Sequence, residues 1–218
     1  LQDSATVTIT VTDVNDAPTI SAIADPADVI EDSGASSALT IAGLGAGGGA
    51  DETAGGAIQT LTLTAASDNT ALVADVDLTL SATTWTTGDA DPTITFTPTA
   101  DISGTAVITI TVTDDGTDNA VAAPLTATTT FTVTVTDVND APTISAIADP
   151  ADVSEDSGVS AAITIAGLGT GGAADEAAAE TLALSASSSD QAVVADGDLA
   201  LSAASWQSGD AAGLFSFP

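Results

Sequence analysis

The chain has 218 residues, among them 31 Asp plus Glu and no Lys, Arg or His, for a formal net charge of −31. This excludes nucleic acid and anionic membrane surfaces as partners, because contacts to phosphate need cationic side chains to displace counterions. The absence of Cys and His also excludes disulfides, thiolate or imidazole metal sites and the commonest general base, leaving oxygen ligands suited to a hard cation, calcium ahead of zinc.

With no Lys, isopeptide staples and Schiff-base chemistry are excluded as well. No apolar run reaches the 18 or so residues needed to span a bilayer, so membrane insertion is not expected. The chain begins with Leu1, contains no Met and shows no charged leader pattern, which reads as an internal piece of a longer product.

In chain order, residues 1–12 (LQDSATVTITVT) match residues 125–136 (LTATTTFTVTVT), so positions 1–13 read as the last strand of a preceding repeat. The run Asp13-Val14-Asn15-Asp16-Ala17-Pro18-Thr19 follows and returns unchanged at Asp137 to Thr143, 124 residues later (137 − 13). These acidic runs mark joints, with linkers at 13–18 and 137–142, one whole repeat at 17–136 and a partial one at 141–218 that lacks the last two strands. EDSG at Glu31 recurs at Glu155 and IAGLG at Ile41 recurs at Ile165. After a three-residue deletion, Trp85 aligns with Trp206 and Phe96 with Phe217.

Within the whole repeat, apolar residues alternate with Thr, as in Ile108-Thr109-Ile110-Thr111-Val112-Thr113, the period-two signature of a half-buried strand. Seven strands are predicted: A at 18–30, B at 37–43, C at 58–66, D at 77–82, E at 93–98, F at 105–113 and G at 126–136. Turn signals separate them at EDSG, a Gly-rich run over 43–57, SDNT, TTGDADP, PTADISG and DDGTDN. About seven short strands in some 120 residues is the pattern of an all-β, immunoglobulin-like sandwich.

The joint sequence with TISAIADPADVSEDSG after it, and PTADISGTAVITITVTDDG leading through a Thr/Val strand to a second VNDAPT, resembles the cadherin-like, immunoglobulin-like tandem repeats of giant bacterial surface adhesins of the repeats-in-toxin type. The resemblance covers essentially the whole chain. It implies tandem Greek-key β-sandwiches in a linear array, with calcium bound between consecutive sandwiches. Where the family carries a second acidic residue in the EF turn this chain has Ser103, which implies one ion site fewer.

Strand order places candidate ligands without the resemblance. In a seven-strand sandwich the BC and FG loops lie at the end where the chain arrives, and the AB and EF loops at the opposite end. The first joint, with Asp13, Asn15 and Asp16, should therefore meet Asp51 and Glu52 from the BC loop and Asp114 and Asp115 from the FG loop. The second joint, with Asp137, Asn139 and Asp140, should meet Glu31 and Asp101 on one side and Asp175 and Glu176 on the other. Calcium takes six to eight oxygens at flexible geometry. The bland alternative is that these Asp and Asn side chains simply cap backbone amides in a turn.

Other features favour packing over chemistry. Trp85 and Trp206 sit in apolar-flanked repeats and read as core. Asp75 and Asp77 lack an apolar pocket that would separate two carboxyl pKa values, so an enzyme is not expected. The expected function is a structural spacer of an extracellular bacterial adhesin or surface filament, on the cell surface, stiffened by calcium, with neighbouring repeats as its partners. The alternatives are a self-assembling filament subunit that exchanges strands with other copies, and a glycan- or ice-binding sandwich using the Thr faces.

Overall fold

The computed structural model describes residues 3–12, 14–48, 58–118, 120–172 and 180–218. The fold is all-β: beyond two single-turn 3-10 helices at Asp75–Asp77 and Asp196–Asp198, every regular element among these residues is a strand. No helix among them is long and apolar enough to cross a membrane. The chain divides into two compact units, Leu1–Thr136 and Asp137–Pro218.

The first unit holds β1 (Val29–Ile30), β2 (Leu39–Thr40), β3 (Thr60–Ser67), β4 (Leu78–Leu80), β5 (Thr84–Thr86), β6 (Thr93–Phe96), β7 (Gly104–Thr113), β8 (Thr117–Asp118), β9 (Val121–Ala122) and β10 (Thr126–Thr136). They form a five-stranded sheet in the order β1-β10-β7-β3-β5, a three-stranded sheet in the order β2-β6-β4, and the small β8-β9 hairpin. All pairs are antiparallel except β1 with β10, where Val29 lies beside Val135 and Ile30 beside Thr136 in parallel.

Alternation decides which side of the large sheet is buried. On β7, Ala106, Ile108, Ile110 and Val112 turn inward; on β10, Phe131, Val133 and Val135 do so; and β3 adds Leu61 and Leu63. The small sheet answers with Ile94 and Phe96 of β6, and Phe96 and Phe131 meet with ring centroids 6.5 Å apart. One apolar cluster thus draws on both sheets, each large side chain stabilising it by about 1.5–3 kcal/mol. On the other face threonines fall into register: Thr84, Thr62, Thr113 and Thr126 form one row across four strands, and Thr64, Thr111 and Thr128 the next. Thr is a good strand former that tolerates water on its exposed side.

Two strand expectations need correction. Strand A is not one strand over 18–30. Thr19 bridges Gly45, Ser21 N–H donates to the Ala42 carbonyl at 2.9 Å, and only Val29–Ile30 joins β10. Pro26, which has no N–H to donate, lies between the two halves. Trp85 is in the core at 7% exposure, as expected, and it belongs to β5, a strand not expected between strand D and the TTGDADP turn; Leu61 pairs with Trp85 there. Residues 3–12, within the segment read as the last strand of a preceding repeat, pair with no strand among the described residues, and Val7, Ile9 and Val11 are more than 80% exposed.

The second unit repeats the plan with β11 (Ile163–Ile165), β12 (Leu182–Ala183), β13 (Ala200–Leu201), β14 (Ser205–Trp206) and β15 (Gly213–Ser216). Its sheets, β11-β15-β13 and β12-β14, correspond to β2-β6-β4 and to the β3-β5 pair. The Thr19–Gly45 bridge returns as Thr143–Gly169. Phe215 and Phe217 meet with their rings tilted and centroids 6.1 Å apart.

Candidate functional site

The near pole of the first unit, where the linker arrives, is built from the residues leading into β3, those following β7, and the β8-β9 hairpin. Asn15 is buried there at 6% exposure. Its Nδ2 donates to Asp114 Oδ1 at 2.9 Å and to the Ala123 carbonyl at 2.8 Å. Its Oδ1 accepts from Gln59 Nε2 at 2.8 Å, and its backbone N–H donates to Asp118 Oδ1 at 2.6 Å. Gly116 closes the site, because a Cβ there would overlap the Asn15 amide.

Asp114, 3% exposed, gathers this pole. Its Oδ1 also accepts from Gly116 N–H at 3.1 Å and Leu125 N–H at 3.0 Å, which pins both ends of the hairpin. Its Oδ2 and the Oε1 of Gln59 are buried without hydrogen-bond partners among the described residues. Asp115 is exposed and turns toward β3, accepting from Thr60 N–H at 2.8 Å. Asp16 is exposed as well. Of the residues expected at this pole, Asn15 and Asp114 are therefore in direct contact, while Asp13, Asp51 and Glu52 lie outside the described residues.

Sequence reading missed Gln59, Gly116 and Asp118. Gly116 had a signal in the Asp-Asp-Gly turn. Gln59 had none, since a lone polar residue just before a strand reads as surface.

The far pole lies where β1 and β10 end side by side. Glu31 N–H donates to the Thr136 carbonyl at 3.1 Å, and the Glu31 side chain is 1% exposed. Asp32 and Asp101 both adopt left-handed backbone, with φ of 61° and 56°, a region that Asp enters more readily than most residues. Asp101 N–H donates to Asp32 Oδ1 at 3.3 Å, which ties the EDSG turn to the turn between β6 and β7. The fold thus gathers Glu31, Asp32 and Asp101 at one pole, and Asp32 was not among the expected residues. Its signal was available, since the second EDSG turn also carries a left-handed Asp, Asp156, with φ of 62°.

In the second unit Asp137 and Asn139 are exposed and Asp140 is half-buried. Asn139 Nδ2 donates to the Asp140 carbonyl at 3.2 Å. Asp175 and Glu176 lie outside the described residues.

Each linker is seated on its own unit by glycines of the IAGLG stretch. A Cβ on Gly45 would come within 2.8 Å of Thr19 Oγ1, and one on Gly169 within 2.7 Å of Thr143 Oγ1. Gly47 and Gly171, with φ of 97° and 113°, lie against the carbonyls of Ala17 and Ala141. A Gly-rich run that composition reads as a loose loop thus begins as a cradle for the chain after the joint.

Several remaining carboxylates serve the backbone. Asp75 Oδ1 accepts from Ser67 N–H at 2.8 Å, and Asp196 repeats this toward Ser188 at 2.6 Å. Asp89 accepts from the Thr86 hydroxyl and N–H, both at 2.8 Å. These bonds hold Asp89 below the ordinary aspartate range, the Thr86 hydroxyl contributing most. Asp196 is held below it too, first by Ser188 N–H and then by Gln191. Hydrogen bonds to the charged form favour ionisation. No protein-family model and no curated protein matches this chain.

Proposed function

We propose that the chain is a pair of immunoglobulin/cadherin-like Greek-key β-sandwich repeats from the shaft of an extracellular bacterial adhesin or surface filament. In this reading the repeats act as spacers, calcium at the joints stiffens the array, and neighbouring repeats are the partners. The fold supports it through a large and a small sheet sharing one core in the first unit, with the β2-β6-β4 sheet and the β3-β5 pair returning in the second as β11-β15-β13 and β12-β14.

The observation that carries the reading is the far pole. Asp101 N–H bonds Asp32 Oδ1, and Glu31, next to Asp32 in the chain, is held by the Thr136 carbonyl, so the three share one pole of a chain with no cationic side chain at all. Gathering carboxylates costs free energy unless a cation compensates them. The donors fit a hard ion: all are oxygens, and at the near pole Asp114 Oδ2 and Gln59 Oε1 are buried acceptors without hydrogen-bond partners among the described residues. When bound, calcium supplies positive charge that neutralises the carboxylates. The residues themselves supply a preformed turn pair, in which Asp101 N–H fixes Asp32 and β10 fixes Glu31.

Differential scanning calorimetry and small-angle scattering of the 218-residue chain test this, in calcium and then in chelator. We expect a lower melting temperature and a shorter maximum dimension after chelation, restored by calcium and poorly by magnesium. Unchanged melting together with unchanged dimensions in chelator would sink the reading.

A further inference from the structure

The near pole of the first unit has a feature that calcium binding does not account for: its most completely bonded side chain is an amide. An asparagine amide has two donor hydrogens and one acceptor oxygen. At Asn15 both donors and the acceptor are used, by Asp114 Oδ1, the Ala123 carbonyl and Gln59 Nε2, and the backbone N–H goes to Asp118 Oδ1. An aspartate of the same shape has no hydrogens to give. It would set its oxygen against Asp114 Oδ1 and the Ala123 carbonyl, a buried clash of like partial charges. Gly116 leaves room for the amide and for nothing larger.

The socket is organised apart from its occupant. Asp114 Oδ1 also takes the N–H groups of Gly116 and Leu125, and Ala123 N–H donates to the Gly116 carbonyl at 2.9 Å, so the hairpin is held in the receiving geometry. Asn139, the same residue of the second linker, is exposed and donates to the Asp140 carbonyl; the counterparts of Asp114, Gly116, Asp118 and Ala123 in its repeat fall beyond residue 218. Along the repeat the position of Gln59 is taken by Glu180 (59 + 121).

We propose that the near pole is an asparagine-reading socket, which fastens the Asp-Val-Asn-Asp linker to the unit that follows it without an ion. Its ligand is the linker peptide, recognised through the Asn15 side chain. Asn15 is thereby a latch residue, and the latch uses Asp114 Oδ1 while leaving Oδ2 aside. The socket stands whether or not calcium binds. Only its consequence for an array, that chelation leaves this side of the joint fastened, rests on the spacer reading above.

Amide hydrogen exchange on the full chain, resolved by NMR in chelator and again in millimolar calcium, tests the latch. In chelator the Asn15 N–H should exchange at least about tenfold more slowly than the Asn139 N–H, because it is buried and bonded. Asn15→Asp should remove most of that protection in either solution, while the Gly116 and Leu125 N–H groups, which bond to Asp114 Oδ1, keep theirs. Asn139→Asp should change none of the three.

The proposal is overturned if the wild-type Asn15 N–H exchanges as fast as that of Asn139 in chelator and slows only when calcium is added, which would make Asn15 an ion ligand. It is also overturned if Asn15→Asp keeps the protection. If protection at Asn15 persists in chelator and calcium alters exchange nowhere in the chain, the latch stands and the calcium-stiffened spacer falls.

Discussion

Asn15 and Gly116 occupy one shared volume: the amide of the first lies where a Cβ of the second would be. The linker reaches its socket only because residue 116 has no side chain. Gly116→Ala should therefore cost about 1–3 kcal/mol, either by displacing Asn15 or by straining the hairpin. Asn15→Ala should cost a similar amount, since it strands Gln59 and removes a partner of Asp114. Urea denaturation of the first unit reads both, and the double variant should lose less than the sum of the single losses. Additive losses would mean that the two residues act separately.

The glycine cradle makes a parallel prediction for each unit. Gly47→Ala and Gly171→Ala place a methyl against the Ala17 and Ala141 carbonyls on backbone with φ of 97° and 113°. Both strain and overlap act, so each should destabilise its own unit by about 1–3 kcal/mol. Gly88→Ala, in open space but at φ of 105°, carries the strain alone and should cost less. Melting curves that rank Gly88→Ala as the costliest of the three would refute the cradle.

Core and face should separate cleanly on the large sheet. Ile110→Ala and Phe131→Ala remove fully buried groups and should cost roughly 2–5 kcal/mol in the urea midpoint analysis. Thr111, next to Ile110 on β7, turns to the opposite face and aligns with Thr64 and Thr128. Thr111→Val should stay within about 0.5 kcal/mol, as surface substitutions do.

Under the spacer reading, calcium at about 100 times its dissociation constant stabilises the folded chain by about 2.7 kcal/mol per site. Glu31→Gln and Asp101→Asn at the far pole should remove most of the calcium-dependent shift in melting temperature. Asp75→Asn, whose carboxylate caps Ser67, should leave that shift intact. Equal shifts in all three variants would place any bound ion elsewhere.

Asp89 and Asp196 give a pH dependence of known sign. Each is held below the ordinary aspartate range in the folded chain by hydrogen bonds to its charged form. The unfolded state therefore binds a proton first as the solution is acidified. Their contribution to stability is complete above the ordinary aspartate value and is lost as pH falls through the lower, folded value. Asp89→Asn and Asp196→Asn should flatten the acid limb of the stability curve by lowering its neutral plateau, with little change at the acid end. Because both groups are exposed, added salt should shrink the effect.

Much of the strand plan is legible in the chain because side chains alternate with a period of two. That period marks strands near 60–67, 104–113 and 126–136, and it separates Ile108 and Ile110 from Thr109 and Thr111. Trp85 was legible as core, yet the strand carrying it was not, although Thr84-Trp85-Thr86 alternates; three residues are too few to outweigh the turn residues beside them.

The sequence by itself determined the all-β class, the repeat spacing, the inward and outward faces of the long strands, and the need for oxygen ligands if any ion is held. These follow from local periodicity and from which side chains exist at all. Tertiary structure alone decided the pairings. Residues 3–12 carry the same Thr and aliphatic pattern as β10 and still join no strand among the described residues, because a period names a face and not a neighbour. The burial of Asn15 is of the same kind. Asn15 is held by Gln59, Asp114, Gly116, Asp118 and Ala123, which are distant along the chain and meet only when the first unit folds.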